Sequence, residues 1–346
     1  MRTPQTAGWT RRRFLGGLTL AGTAGLIGLH PRPVAAEPPP ETTTLRLWEE
    51  TLTTCIAPTW AAQDLLYSDG FTDVQYVNYP KQTRNWVPEA LLAGEADISL
   101  TFLPLDIRHI DAGDPLVILA GSHIGCIELI GNDRVSSTRD LKGKTVGINE
   151  MGSDFHTFVS MFVAYVGLNP HTDIHWVVHP YADQARLLTA LTQGSLDAFV
   201  MGPPYAPEIR EKKISHVLVN TTTDKPWSQY FCCLVASTKA FVRQHPVATK
   251  RALRALLKAA DVCALEPERT AQRIVDRGMA PRYDAVLQGL KEIPYGQWRQ
   301  YDPEDAVRFY ALRLQELGMI TSSPQKIIAQ GTDWRFLNEL KRELKG

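Results

Sequence analysis

Two stretches of the chain share one pattern: residues 92–98 read Leu-Ala-Gly-Glu-Ala-Asp-Ile, and residues 192–198 read Thr-Gln-Gly-Ser-Leu-Asp-Ala. In each stretch a helical segment ends at a glycine, which adopts the left-handed conformation that closes many helices. An aspartate follows three residues later, before a short apolar segment, where its carboxylate can accept backbone N–H groups. A helix therefore passes to a buried strand in the same way twice, which predicts two similar α/β units.

Short apolar strands alternate with helices on both sides of these turns. Such alternation forms mostly parallel sheets that helices cover on both faces, so we predict an α/β, bilobed protein. The predicted strands are Leu45–Trp48, Val74–Val77, Ala96–Leu100, Leu116–Ala120, Cys126–Ile130, Thr145–Ile148, Ile174–Val178, Ala198–Met201, Val217–Val219 and Phe231–Ala236. The helices predicted after them are Thr238–His245, Val247–Leu265, Glu268–Arg277, Pro303–Leu317 and Trp334–Leu344.

The composition is that of a folded globular protein. Of 346 residues, 21% are charged and 44% hydrophobic, which excludes a disordered chain and a protein with many membrane spans. Residues 1–36 hold five Arg and no acidic residue, so the rest of the chain has 32 basic residues (37 less 5) against 37 acidic ones. A nucleic-acid partner is not expected, because it would require a basic surface to neutralise phosphates.

The first 36 residues have the order of a secretory signal peptide. A charged segment, Thr10–Leu15, precedes an apolar run rich in glycine, Gly16–Leu29, and the small-residue site Val34–Ala36. The run is too short for a membrane anchor, and Thr-Arg-Arg-Arg-Phe-Leu resembles the core of a bacterial twin-arginine leader. We therefore predict a twin-arginine signal peptide at 1–36, export by the twin-arginine translocase to the periplasm, and a linker at 37–43. The alternative is a chance Arg cluster before a buried helix.

Cysteines can form disulfide bridges, and histidines at regular spacing can bind a metal ion. Five Cys are too few, and odd in number, for a dense disulfide framework, so we expect buried small hydrophobes. Cys232 and Cys233 are adjacent, and we expect them on opposite faces of a strand. His171, His175 and His179 recur every four residues, but a third and fourth ligand on one strand face are not evident, so no metal site is predicted.

Three segments together resemble one protein family. They are Leu92–Ile98, the run Asp140–Gly147 (Asp-Leu-Lys-Gly-Lys-Thr-Val-Gly), and Leu188–Ala198 followed by Pro203-Pro204. Their order and spacing over residues 44–310 resemble the periplasmic substrate-binding proteins of ABC importers, of the nitrate/sulfonate/taurine (NMT1-like) type. The resemblance implies a non-catalytic solute receptor that passes a small-molecule ligand to an inner-membrane ABC permease.

The resemblance also implies an architecture, the periplasmic-binding-protein type II fold with a two-segment hinge. Lobe I would comprise residues 44–121 and 235–346, and lobe II residues 122–234. The hinge segments would lie near Gly121–His123 and Gln229–Cys233. A ligand would bind in the cleft of a monomer and favour its closed state by touching both lobes.

Candidate ligand-binding residues follow from the position of the predicted loops. In α/β sheets, ligands collect at the C-terminal ends of strands, where loops and helix N-termini project. Gly152 and Ser153 open a helix that could attract an anion, although Asp154 could cap that helix itself. Acidic residues on these loops favour a nitrogen-containing, zwitterionic or aromatic ligand over a bare anion. The predicted ligand-binding residues are Trp48, Glu49, Thr101, Phe102, His123, Gly152, Ser153, Asp154, His156, Gly202, Pro203, Tyr205, Trp227 and Tyr230.

Two other functions remain open at this stage. The first is an enzyme similar to pyrimidine-precursor synthases, which carry a Cys-rich motif and act on a pyridoxal cofactor with iron. This chain offers only the pair Cys232-Cys233 and no lysine obviously placed for a Schiff base, so we expect no catalysis and no cofactor. The second is a periplasmic sensor subunit with the same cleft. We also expect Trp227→Ala or Tyr205→Ala to abolish binding and to leave thermal stability nearly unchanged.

Overall fold

The computed structural model describes residues 37–49, 53–77, 86–179, 184–211, 215–278, 280 and 282–344. The chain divides into two units, residues 1–38 and 39–346. The predicted signal peptide lies outside the described residues, and everything below concerns the second unit.

The second unit begins with four strands that alternate with short helices, as predicted. The strand that ends this part, β4, continues to Ile124, four residues beyond its predicted end. The elements are β1 (Thr44–Trp48), a 3-10 turn (Thr54–Ile56), α1 (Ala57–Ala61), α2 (Gln63–Ser68), β2 (Asp73–Val77), α3 (Trp86–Leu92), β3 (Ile98–Phe102), α4 (Leu103–Ala112) and β4 (Leu116–Ile124).

The middle of the chain contains the next five strands. Two of them, β7 and β8, have their predicted bounds. The elements are β5 (Glu128–Gly131), a 3-10 turn (Thr138–Leu141), β6 (Lys144–Ile148), α5 (Asp154–Tyr165), β7 (Ile174–Val178), α6 (Gln184–Thr192), β8 (Ala198–Met201), α7 (Tyr205–Glu211), β9 (His216–Asn220) and a 3-10 turn (Trp227–Gln229).

The C-terminal part is one strand followed by helices, as the sequence predicts. Two helices in this part, α11 and α13, were not predicted. Both are short, and α11 contains a glycine in its interior. The elements are β10 (Phe231–Thr238), α8 (Lys239–Gln244), α9 (Pro246–Leu265), α10 (Pro267–Asp276), α11 (Tyr283–Glu292), a 3-10 turn (Tyr295–Gln297), α12 (Pro303–Glu316), α13 (Pro324–Gly331) and α14 (Arg335–Glu343).

The strands form three groups, and the α/β fold class is confirmed, but the prediction of mostly parallel sheets was wrong, because β10 and β5 enter their sheets in the opposite direction to their neighbours. Strand β1 pairs with β2, the second group has the order β3-β10-β4, and the third has the order β7-β6-β8-β5-β9. Pairs that succeed one another through helices, such as β1 with β2 and β6 with β7, are parallel. The strands next to the crossings, β5 and β10, pair antiparallel with both of their neighbours.

The two helix-to-strand turns at residues 92–98 and 192–198 have the same glycine conformation and form the same kind of hydrogen bond. Gly94 and Gly194 have φ angles of 69° and 76°, in the left-handed region. Asp97 accepts a hydrogen bond of 2.7 Å from the backbone N–H of Arg46 in β1, and Asp197 accepts one of 2.9 Å from Thr145 N–H in β6. Each aspartate therefore fastens its turn to a neighbouring strand.

The chain crosses between the second and third groups of strands at two adjacent places. The first crossing lies between Ile124 and Glu128, after the predicted Gly121–His123, because β10 keeps β4 paired as far as Ile124. The side chain of Thr221 holds this crossing: its Oγ1 accepts hydrogen bonds from the N–H groups of Cys126 (3.1 Å) and Ile127 (2.9 Å). The second crossing enters β10 from the turn Trp227–Gln229.

Candidate functional site

The start of α5 contains four of the predicted ligand-binding residues. Ser153 is the N-cap, and its Oγ accepts a hydrogen bond from His156 N–H and donates one to Glu150 O at 2.7 Å. Asp154 Oδ1 accepts from Asn149 Nδ2 at 3.1 Å and from the backbone N–H of the next residue at 2.8 Å. Burial raises the pKa of Asp154 despite these two hydrogen bonds. The carboxylate that could repel an anion is therefore occupied within its own turn.

Gly152 and His156 complete this turn. Gly152 has a φ of 82°, and its N–H donates to Nδ1 of His156 at 3.1 Å. Burial, together with the positive charge of Arg108, lowers the pKa of His156 to about 4. The imidazole is therefore neutral at physiological pH and acts as an acceptor in this turn.

The loop after β3 lies against this helix start. Arg108 of α4 donates from Nη1 to Gly152 O at 2.6 Å and to Thr157 Oγ1 at 3.4 Å. The ring of Phe102, a predicted site residue, lies 4.6 Å from that of Phe158 in α5. Both segments follow the C-terminal end of a strand, β3 and β6 respectively, so the structure brings two of the predicted loops together.

Thr101 is directed into the protein. Its hydroxyl donates a hydrogen bond to Oδ2 of Asp106 in α4, and both residues are buried. Burial raises the pKa of Asp106 to about 8, so this carboxyl group is largely protonated at neutral pH. The pair joins the end of β3 to α4.

The first predicted loop begins at the end of β1. Trp48 is only 2% exposed and belongs to the main hydrophobic core. Glu49 N–H donates to Val77 O at 2.9 Å, and burial raises the pKa of the Glu49 carboxyl group while Arg277 opposes that rise. Residues 50–52 of this loop lie outside the described residues.

The loop after β8 meets the segment after β1. The carbonyl oxygen of Pro203 accepts hydrogen bonds from Thr54 N–H at 3.1 Å and from Thr53 Oγ1 at 3.2 Å. A Cβ atom on Gly202 would lie 3.2 Å from Cys126 O, which explains a small residue there. Tyr205 begins α7, is half-buried and packs against a small core cluster of the third sheet.

Two predicted aromatic residues belong to an aromatic cluster. Trp227 is 3% exposed, and its ring is 4.8 Å from Phe162 and 5.6 Å from Phe309. Tyr230 is stacked on Phe309 with the ring centroids 4.0 Å apart. The expectation that Trp227→Ala leaves stability unchanged does not fit this environment, because its removal would leave a large cavity.

His123 lies deepest of the predicted residues, among thiols. It is fully buried, with Nε2 3.1 Å from Cys55 O and Nδ1 3.0 Å from Gly125 O. Cys232 and Cys233, expected on opposite faces, have sulfur atoms only 3.6 Å apart. That expectation was wrong because β10 has register shifts on both sides of Cys233, which interrupt the regular alternation of side chains.

The cysteine thiols around His123 change one another's pKa. Hydrogen bonds from the thiols of Cys126, Cys232 and Cys55 lower the pKa of Cys233 well below its usual value, and nearby His123 acts in the same direction. All five cysteines are free and buried, in agreement with the prediction of buried thiols. His171 and His175, in contrast, are exposed.

One charged group was missed by sequence reasoning. Arg210 of α7 contacts the carboxylates of Glu128 in β5 and Glu292 in α11. Burial raises the pKa of Glu128 to about 7, while the charge of Arg210 opposes the rise. Asn220 also donates to Glu128 at 3.0 Å. Glu128 lies 82 positions before Arg210 in the chain, and Glu292 lies 82 positions after it. No local sequence pattern indicates these two contacts.

Two pockets formed by described residues lie away from all of these side chains. One, of about 180 Å³, lies between α1–α2 and α9–α10 and includes Trp60 and Arg273. The other, of about 390 Å³, includes Tyr301 and Lys341. Neither is lined by a predicted ligand-binding residue.

The comparisons with known proteins agree with this arrangement. The NMT1-like family matches residues 128–277. The chain is NMT1-like over that segment. The resemblance inferred from the sequence is thereby confirmed. None of the curated proteins is a significant match to the chain by sequence.

Several solved structures with a similar fold are periplasmic binding proteins. The periplasmic nitrate-binding protein NrtA from Synechocystis PCC 6803 superimposes with a TM-score of 0.73 at 16% identity, covering 89% of this chain and 90% of NrtA. The alkanesulfonate-binding protein SsuA from Xanthomonas axonopodis pv. citri, bound to MOPS, gives 0.66 at 16% identity, covering 87% and 100%. The aliphatic sulphonate-binding SsuA from Escherichia coli gives 0.66 at 19% identity, covering 85% and 94%. The chain therefore has the periplasmic-binding-protein fold.

Within the parts of the chain that the structure describes, no helix combines the length and the apolar character that crossing a membrane requires.

Proposed function

We propose that this chain is the solute-binding component of an ABC import system in the periplasm. It captures a small organic molecule, nitrogen-containing and zwitterionic or aromatic, in the cleft between lobe I (44–121 and 235–346) and lobe II (122–234). It then passes the molecule unaltered to an inner-membrane permease. A twin-arginine leader at residues 1–36 directs its export, and it acts as a monomer.

The contact between Arg108 and Gly152 is the observation that carries this proposal. It joins the segment after β3 to the segment after β6, and ligands of α/β proteins bind at such strand ends. The crossings next to Cys126 and Phe231 connect the two parts of the fold and supply a two-segment hinge. A ligand that contacts both segments favours the arrangement in which they meet.

The chemistry of the α5 start supports the ligand class. Its Gly152 and His156 N–H groups already have acceptors in their own turn, and the half-buried Asp154 lies beside them. A bare oxyanion would find fewer donors there than an unoccupied helix N-terminus offers. A ligand with a cationic or neutral nitrogen group suits an acidic neighbour better.

A thermal-shift screen of the purified chain against amines, aromatic acids, pyrimidines and sulfonates tests the proposal. We expect the melting temperature to rise with concentration for one class, because a ligand that binds only the folded state stabilises it. Conversion of any of these compounds to a product would favour the alternative of an enzyme. No shift with any class would contradict the proposed ligand chemistry.

A further inference from the structure

Four side chains with metal-ligating atoms meet beside the two crossings: His123, Cys126, Cys232 and Cys233. Each supplies one atom, and the four atoms all lie within 4.8 Å of one another. Their exposed fractions are 0%, 3%, 0% and 4%, so the group is closed to solvent. We refer to these four residues as the thiol–imidazole cluster.

The distances within the cluster, from 3.2 Å to at most 4.8 Å, bracket those of a coordination shell. The Cys126 and Cys232 sulfur atoms are 3.2 Å apart, and Cys232 Sγ is 3.6 Å from Cys233 Sγ and 3.9 Å from His123 Nδ1. With Zn–S near 2.3 Å and Zn–N near 2.0–2.1 Å, the ligand atoms of a tetrahedral zinc site lie roughly 3.5–3.8 Å apart. Sulfur atoms in a disulfide are about 2.05 Å apart, so no two of these are bonded.

The orientation of His123 is a second, independent observation. Its Nε2 lies 3.1 Å from Cys55 O, and its Nδ1 lies 3.0 Å from Gly125 O, 3.3 Å from Ile124 O and 3.9 Å from Cys232 Sγ. A neutral imidazole carries one N–H, so when Nε2 donates to Cys55 O the lone pair of Nδ1 is left beside carbonyl oxygens, which only accept, and the Cys232 sulfur, where a metal ion would give it a partner. Histidines that bind metals usually donate their other ring nitrogen to a backbone carbonyl or carboxylate in this way.

The backbone that positions the side chains of the thiol–imidazole cluster departs from regular geometry. The register shifts in β10 bring Cys232 and Cys233 to one side of the strand. Cys126 has a φ of 151°, a backbone conformation rare for a residue with a side chain, and its N–H is bonded to Thr221 Oγ1. Unfavourable backbone conformations of this kind are concentrated at functional sites.

We propose that the thiol–imidazole cluster binds one thiophilic metal ion, with Zn²⁺ as the ion whose Cys3His shell it matches. Three sulfur atoms and one imidazole nitrogen fill the tetrahedron, so the site has no open position and is structural. The cysteine thiols lose their protons to solvent as the sulfur atoms bind the ion. Since Cys126 belongs to the first crossing and Cys232 and Cys233 to the strand after the second, the ion fastens the two crossings together.

Metal titration of the purified, reduced and chelator-treated chain tests this inference. Co²⁺ should bind at one equivalent with the absorption of a tetrahedral cobalt–thiolate centre, and Zn²⁺ should displace it. Zn²⁺ should also raise the melting temperature of the unaltered protein, and a chelator should reverse the rise, which requires no variant.

The variant Cys232→Ser and its control Cys263→Ser make the test specific. Cys263 is equally buried and free, but it lies in α9, outside the cluster. Changes next to metal ligands cost about 10–100-fold in affinity, so loss of a ligand should cost about 100-fold or more in Cys232→Ser, while Cys263→Ser retains wild-type affinity. Circular dichroism of the metal-free proteins checks that both variants fold.

Two results would overturn the inference. One is equal metal binding, or none, in the wild type and Cys232→Ser. The other is a Cys126–Cys232 disulfide in exported protein, detected as two missing thiols under denaturing conditions, since a bridged pair could not supply two thiolates. Neither result bears on solute binding, which the thermal-shift screen measures separately.

Discussion

The guanidinium of Arg108 donates a hydrogen bond of 2.6 Å to the carbonyl oxygen of Gly152, and thereby connects α4 with the start of α5. In the proposed solute receptor this contact exists when the two lobes are together. It therefore contributes to the closed state that a ligand favours.

Arg108→Met should weaken solute binding. The methionine retains apolar packing but loses the hydrogen bond, and a bond with a charged group contributes about 1.5–3 kcal/mol, so affinity should fall roughly tenfold or more. Calorimetric titration with the compound that gives the largest thermal shift measures this affinity. Arg308→Met is the control, because Arg308 forms only a surface ion pair with Glu304 within α12. Equal affinities for both variants would show that the contact does not contribute to binding.

Trp227→Ala should destabilise the protein strongly. The indole is 3% exposed and surrounded by aromatic rings, and removal of such a side chain costs about 3–5 kcal/mol in the free energy of unfolding. Tyr205→Ala, at a half-buried position, should cost less. Urea denaturation compares the two. Similar midpoints for Trp227→Ala and wild type would mean that the aromatic cluster is not part of the stable core.

Stability should depend on pH through Glu128. Its pKa is raised to about 7 in the folded protein, against 4.5 ordinarily, so between these values the folded chain retains a proton that the unfolded chain releases. This contribution is fully present below about pH 4.5 and is lost as the pH rises through 7, with an upper limit of roughly 3.5 kcal/mol at about 1.4 kcal/mol per pKa unit.

Glu128→Gln isolates that contribution, because the amide does not titrate. The variant should gain stability relative to wild type as the pH rises from 4.5 to 7. Melting temperatures of both proteins across this range provide the measurement. A constant difference between them would contradict the raised pKa.

Asp106→Asn should be tolerated at neutral pH. With a pKa of about 8 the wild-type carboxyl group is already largely neutral, and an amide can still bond the Thr101 hydroxyl. We expect the variant to gain stability relative to wild type as the pH rises from about 4 to about 8, because over this range the folded wild type retains a proton that its unfolded chain releases, and to gain no more above pH 8. Denaturant midpoints at pH 6, 7 and 9 measure this. A loss of several kcal/mol at pH 6 would show that the carboxyl is needed in its charged form.

Local features of the fold were predictable from the sequence. The turns at Gly94 and Gly194 depend on a left-handed glycine and on an aspartate three residues away, all within one short segment. The strand positions follow from short apolar runs, and the N-cap at Ser153 follows from its side chain. None of these requires knowledge of distant residues.

Features that depend on contacts between distant segments were not predictable. The pairing of β10 with β4 moves the first crossing beyond His123, and its register shifts bring Cys232 and Cys233 together. The burial of Trp227 depends on Phe162 and Phe309, which lie far away in the sequence. Ligand-binding roles for the predicted loop residues stay predictions.

Recovery of a bound compound tests the central claim most directly. The purified chain is incubated with a mixture of the candidate compounds, freed from unbound material and denatured, and the released molecules are identified by mass spectrometry. We predict a single class of compound, retained at about one molecule per chain and identical in mass to the compound supplied. Release of a chemically altered molecule, or retention of none of the classes, would contradict the proposal of a solute receptor.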